Sequence, residues 1–193
     1  MRYGLIAAVA VAAALLTEIP VAEAATRFWD PQTRTWQEIT PGRSMQSPVP
    51  REVVDYDGPH GANTIVVDTS ERRLYLIRGD GTALRYGVGV GREGFQWAGT
   101  HRITRMAEWP GWTPPAAMRR RQPNLPAYME GGPNNPLGAR ALYLGSTLYR
   151  IHGSNQPWTI GQAVSSGCIR MTNDDVTHLY EQVSVGFRVV VQR

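Results

Sequence analysis

Between Asn63 and Met106 the chain sets one short β-branched or aliphatic run after another, each closed by a polar or glycine turn. That spacing constrains the fold more than any other feature. Thr64-Ile65-Val66-Val67-Asp68 reads as a strand and Arg72 to Arg78 as its hairpin partner, joined at Thr69-Ser70-Glu71. Gly79-Asp80-Gly81 makes the next turn. Leu84 to Val90 is a third strand, broken by Gly87 and Gly89, and Gly99 to Met106 is a fourth. Runs this short and this closely spaced exclude a helical bundle and predict a mainly β fold, an antiparallel sheet or barrel. The 20 glycines and 14 prolines among 193 residues fit that prediction, because both punctuate turns. No internal repeat recurs, which removes solenoids and propellers.

The chain begins differently. Met1-Arg2-Tyr3 is a short positive start, Leu5 to Leu16 is unbroken apolar sequence, and Ala22-Glu23-Ala24 is a small-x-small site. This layout predicts a secretory signal peptide over residues 1–24, too short in its apolar part to span a bilayer. No cysteine follows it, so no lipoprotein-type anchor is expected at this junction. Residues 25–61 are rich in proline, threonine, glutamine and serine and lack periodicity. They read as an extension or linker that could dock through Trp29 and Trp36, ahead of a domain over 62–193. Export makes the single cysteine, Cys168, informative, since exported proteins that keep cysteines usually pair them. It is an intermolecular link, a reactive thiol or a small buried hydrophobe. Every basic side chain is arginine, which excludes a lysine nucleophile or Schiff base. The net charge of +4 and pI of 9.6 suit an anionic polymer without naming one.

Pro110 to Gly138 is a long proline-rich loop holding Arg119-Arg120-Arg121, with Trp109 and Trp112 at its entrance. A loop of this length in a compact domain is usually functional, and the expectation is a lid. The three arginines could touch an anionic polymer or simply be solvated. Arg140–Leu144 and Thr147–His152 form a further hairpin about Gly145-Ser146. One helix is expected. Thr172 or Asn173 caps it, Asp174 and Asp175 sit at its positive start, and Val176, Leu179, Tyr180 and Val183 share one face. Gly186 stops it, and Phe187 to Val191 is a closing strand.

The chemistry concentrates in two places. Tyr149-Arg150-Ile151-His152-Gly153-Ser154 ends a strand, and Ser165-Ser166-Gly167-Cys168-Ile169-Arg170-Met171 holds the cysteine. A thiol needs a base or a positive environment to become a thiolate, and a strand-end histidine is a candidate base. Gly167 permits a tight turn whose successive N–H groups can bind a developing oxyanion. His60, His101 and His178 lack metal-ligand spacing and no second cysteine exists, so neither a zinc site nor any other cofactor is expected. His178 is expected at the helix surface. Trp109, Trp112 and Trp158 could line a groove, though core packing accounts for them equally.

From His152 to Met171 the chain resembles the active-site signature of the L,D-transpeptidases, the YkuD-type catalytic domain of the Gram-negative branch. The pattern is His-Gly-Ser, a spacer, then Ser-x-Gly-Cys-Ile-Arg. Asn134-Asn135-Pro136-Leu137-Gly138 and Ile160-Gly161 resemble the segments that precede and link these motifs, and the likeness runs from Ala62 to Gln192. Where many members carry a histidine directly before Gly-Cys, this chain carries Ser166.

The resemblance implies a sheet-rich, barrel-like catalytic domain with one short helix and a lid. It also implies peptidoglycan transpeptidation. Cys168 would attack the carbonyl of a diaminopimelate in a stem peptide and expel the terminal D-alanine, with His152 as general base. The Gly153 carbonyl would orient His152, the N–H groups of Ser166, Gly167 and Cys168 would hold the oxyanion, and Arg170 would position the loop or meet a substrate carboxylate. The acceptor is another stem peptide or an amine of an outer-membrane protein or lipoprotein. Hydrolysis by an L,D-carboxypeptidase and a non-catalytic wall-binding module are the alternatives. The expected setting is the periplasm or cell envelope, as a monomer without membrane anchor or nucleic acid, open to acylation by carbapenems.

Overall fold

The computed structural model describes residues 27–30, 35–38 and 46–193. The expected leader, residues 1–24, lies outside the described residues, as do the Trp29 and Trp36 side chains. Strands β1 (Arg27–Asp30) and β2 (Thr35–Glu38) pair as an antiparallel ribbon. The strands that follow are β3 (Glu52–Asp55), β4 (Thr64–Asp68), β5 (Arg73–Ile77), β6 (Thr82–Gly87), β7 (Val90–Gly91) and β8 (Gly99–Glu108). After helix α1 (Ala116–Arg121) come β9 (Arg140–Leu144), β10 (Arg150–His152), β11 (Ala163–Ser165) and β12 (Ile169–Arg170). Helix α2 (Asn173–Gln182) and β13 (Arg188–Gln192) finish the chain. Nine strands form one sheet in the order β12-β10-β9-β8-β13-β4-β5-β6-β3. Among the described residues no helix is long and apolar enough to cross a membrane.

The fold is mainly β, as the strand spacing predicts. Residues Thr64 to Val67 are buried without a break, the mark of a strand covered on both faces. Ile65, Val67, Leu74, Leu142, Leu144, Ile151 and Val189 form the main core at 0% exposure. Val176 and Leu179 on α2 close it from one side, each removing roughly 1.5–3 kcal/mol of apolar surface from water. Thr172 caps α2, its Oγ1 accepting from the Asp175 N–H at 3.1 Å.

Three features depart from the local reading. First, the ladders are not all antiparallel: β13 runs parallel to β4, β12 to β10 and β11 to β7. Each pairing spans a crossover, which hairpin signals between neighbouring runs cannot reveal. Second, β13 does not close an edge but lies between β8 and β4. Third, residues 25–61 are more than a linker, because β3 is the edge strand beside β6, with Glu52 ion-paired to Arg85. Next to it, Arg51 bonds Asp175 at the start of α2 at 3.2 Å. Four residues with charged ends are too few to show as a strand. Far from β3, the other sheet end curls round. Gly89 and Arg170 exchange both backbone hydrogen bonds at 2.8 Å, which gives the sheet its barrel-like closure and fixes β12.

Candidate active site

Parallel pairing of β10 with β12 sets Ile151 against Ile169 and His152 against Arg170. Cys168 therefore stands at the entrance to β12, beside the chain that carries the histidine. The turn ahead of it is held from within. Ser165 Oγ, 1% exposed as a residue, donates to the Cys168 carbonyl at 2.6 Å and accepts from the Gly167 N–H at 3.0 Å. Gly167 has φ +106°, and a Cβ there would lie 2.6 Å from Tyr149 Cε1. Only glycine fits both demands. Beneath it Tyr149 stacks on Trp97 with centroids 4.3 Å apart, and Trp97 Nε1–H donates to the Gly167 carbonyl at 2.6 Å. The Cys168 turn thus rests on an aromatic platform.

His152 is 4% exposed, with Nδ1 2.6 Å from the Gly153 carbonyl oxygen. A carbonyl can only accept, so Nδ1 carries the proton and Nε2 the lone pair. Burial, then the positive charges of Arg170 and Arg150, push the imidazole down from 6.5 to about 3, against the pull of the Gly153 and Leu137 carbonyls. Burial also pushes the Cys168 thiol up from its ordinary 9.0, opposed by Arg150 and Arg170. At rest the pair is a neutral thiol and a neutral imidazole. The thiol donates to the Leu148 carbonyl at 3.8 Å and not to the ring. Cys168 and His152 nonetheless open onto the same cavity of about 420 Å³.

A sequence model of the L,D-transpeptidase catalytic domain, YkuD, matches residues 62–191. This chain belongs to that family. It is 41% identical over 136 residues to a probable L,D-transpeptidase of Escherichia coli, ErfK/SrfK, covering 66% of this chain and 43% of that one. The chain spans less than half the length of that relative and of the probable L,D-transpeptidase YbiS of the same organism. A crystal structure from Brucella melitensis, named as a probable carnitine operon oxidoreductase, is 42% identical and covers 76% of this chain and 96% of that one, with TM-score 0.51. L,D-transpeptidase 3 of Mycobacterium tuberculosis, 16% identical, shares the fold with TM-score 0.54 over 67% of this chain and 60% of that one.

The other side of this transpeptidase-family cavity is the proline-rich loop. Trp112, Leu125 and Leu137 form a satellite cluster there, with Met118 and Met129 packed on it. Asn135 Nδ2 donates to the carbonyls of Met129 and Glu130 at 3.2 and 2.8 Å. Gly138, at φ +64°, lets the loop return against the strand end, since a Cβ there would come within 2.6 Å of Gly153 C and Ser154 N. Asn173 Oδ1 accepts the Ala139 N–H at 2.9 Å and pins that return to α2.

The residues singled out in the sequence fare differently. Cys168, His152, Ser166 and Arg170 line the cavity. Gly153 is buried with its carbonyl on the imidazole. Gly167 departs from expectation, because its N–H is already committed to Ser165 Oγ. The amides of Ser166 and Cys168 have no such internal partner among the described residues. Arg170 Nη1 donates to Gln156 Oε1 at 3.2 Å. Of the three tryptophans only Trp112 lines the cavity, while Trp109 is 41% exposed. His178 is not a plain surface residue, as its Nδ1 lies 2.8 Å from the hydroxyl of buried Tyr86. The sequence reading missed Ser165, the Trp97–Tyr149 platform and Arg92, and had Arg121 only as one of three loop arginines that could touch an anionic polymer. Only Ser165 left a signal, as the first of a serine pair before Gly-Cys.

Proposed function

We propose that the protein is a peptidoglycan L,D-transpeptidase that works through a thioester on Cys168. The observation that carries this reading is the shared cavity. The chain's one thiol and a buried, tautomer-fixed histidine face the same space at the junction of β10 and β12. Residues 62–193 are then the catalytic domain, residues 1–24 the export signal and the cell envelope the setting.

His152 Nε2 takes the Sγ proton as the sulfur attacks the stem-peptide carbonyl. The amides of Ser166 and Cys168 receive the oxyanion. Collapse breaks the C–N bond, and the departing D-alanine amine takes the proton back from the imidazolium. An acceptor amine then attacks the thioester and gives its proton to His152, from which the thiolate recovers it. The Gly153 carbonyl holds the tautomer that these transfers need, as a carboxylate does in serine triads. Burial, then Arg170 and Arg150, depress the basicity of His152, so a substrate carboxylate beside the two arginines would offset their part of the shift and strengthen the base. Activation would then follow binding.

Incubation with disaccharide-tetrapeptide, read by mass spectrometry, tests the reading. A cross-linked dimer mass is the expected product. A tripeptide mass alone would make the protein a carboxypeptidase, and unchanged substrate with an intact thiol would overturn both.

A further inference from the structure

Four arginines line the cavity, Arg92, Arg121, Arg150 and Arg170, and no aspartate or glutamate does. Arg150 and Arg170 belong to the β10–β12 wall beside the thiol and imidazole. Arg92 and Arg121 come from outside the β10–β12 wall. Arg92 follows β7, and Arg121 ends α1 inside the proline-rich loop. Their guanidinium carbons lie 4.4 and 5.2 Å from the centroid of one ring, that of Phe95. Arg92 reaches Ser166 Oγ at 3.4 Å, and neither arginine makes an ion pair among the described residues.

Two like charges sharing a ring across a cavity with no acidic neighbour repel each other, and the ring only partly offsets that. A carboxylate between them would complete the arrangement with paired N–H donors from both sides. The loop's three consecutive arginines are all exposed, and of them only Arg121 lines the cavity.

We propose that Arg92 and Arg121 form a carboxylate clamp that reads the acyl-donor peptide, so that stems with free carboxylates are bound in preference to stems whose carboxylates are amidated. The inference rests on the proposed function for the identity of the donor. The clamp is a specificity device: it touches the substrate away from the scissile bond, while the β10–β12 wall performs the chemistry.

The test is calorimetric binding to the full chain carrying Cys168→Ala. One ligand is a synthetic stem tetrapeptide with free carboxyl groups. The other is the same peptide amidated at every carboxyl except the terminal D-alanine's. The free acid should bind about tenfold more tightly. Arg121→Gln should remove most of that preference by weakening the free acid alone, and Arg121→Lys should restore part of it. Arg120→Gln removes the same charge outside the cavity and should change neither affinity. Equal binding of the two peptides, or equal weakening of both by Arg121→Gln, overturns the clamp. If the wild-type enzyme meanwhile releases D-alanine from both peptides at the same rate, the transpeptidase reading stands without it. Binding of neither peptide brings down both.

Discussion

The wall of the cavity that carries His152 and Cys168 is backed by the main core, whereas the wall that carries Trp112, Met118 and Arg121 is backed by three buried residues of a satellite cluster. On the first wall Cys168 and His152 are held by short bonds and stacked rings: Ser165 inside the turn, Trp97 and Tyr149 beneath it, the Gly153 carbonyl on the imidazole. The second wall hangs between Trp109 and Gly138, fixed mainly at its return by Asn135 and Asn173. Proton transfer and oxyanion binding need reacting atoms placed to fractions of an ångström, so they belong on the sheet. Recognition of a variable peptide tolerates adjustment, so it can sit on a loop.

Removing the proposed nucleophile tests the first wall hardest. Cys168→Ala should abolish turnover and leave the melting temperature nearly unchanged, because a half-buried thiol adds little packing. The same substitution should erase acylation by a carbapenem, whose strained carbonyl would use the same oxyanion donors. Intact-mass spectrometry reads both forms. An adduct surviving Cys168→Ala would show that the nucleophile is elsewhere.

A smaller effect is expected from the frame of the turn. Ser165→Ala leaves the Gly167 N–H and the Cys168 carbonyl without their shared partner, at a cost of about 1–3 kcal/mol in stability. The rate constant kcat should fall by about tenfold or more, because the turn that aims the oxyanion amides loosens. Urea unfolding and steady-state kinetics measure the two losses. Lost stability with unchanged kcat would mean that the turn does not need this serine for aiming.

On the second wall the split should reverse. Leu125 is 6% exposed within the satellite cluster. Truncating a packed leucine costs about 2–5 kcal/mol in a rigid core, and the low end applies where a loop can collapse. Leu125→Ala should therefore raise KM several-fold with kcat nearly unchanged. A fall in kcat at constant KM would show that the loop orders the chemistry and would erase the distinction between the walls.

The first wall was far more legible in the sequence than the second. His152-Gly153 and Ser165 to Arg170 are contiguous motifs, and each residue type states its chemistry. The helix was legible because its cap and apolar face lie within a dozen residues. What stayed hidden depends on pairing across the chain. Trp97 meets Gly167 only after β8 and β10 are placed, and Arg92 meets Arg121 only after the loop folds back. The parallel partners of β13 and β12 were hidden for the same reason. The commitment of the Gly167 amide to Ser165 is finer still, since a turn motif does not say which of its N–H groups points inward.

The smallest expected effect is also the one that separates two kinds of thiol chemistry on the first wall. Burial, Arg170 and Arg150 hold His152 at about 3, below its unfolded 6.5, so between those values the unfolded chain binds the extra proton. Stability due to this residue is present above 6.5 and is lost as pH falls toward 3. Cys168 has the opposite sign. Its raised folded value gives a contribution that is whole below 9.0 and is lost as pH rises from 9.0 through the folded thiol's own value. Denaturant midpoints of wild type against His152→Asn should thus diverge on the acid side, and those against Cys168→Ala on the alkaline side. The rate of alkylation by iodoacetamide should climb continuously from mildly acid to alkaline pH, because the resting pair is neutral and thiolate appears only as protons are removed. A rate already level below neutrality would reveal a preformed thiolate–imidazolium pair. His152 would then be charged at rest, and burial with Arg170 and Arg150 would not set its basicity.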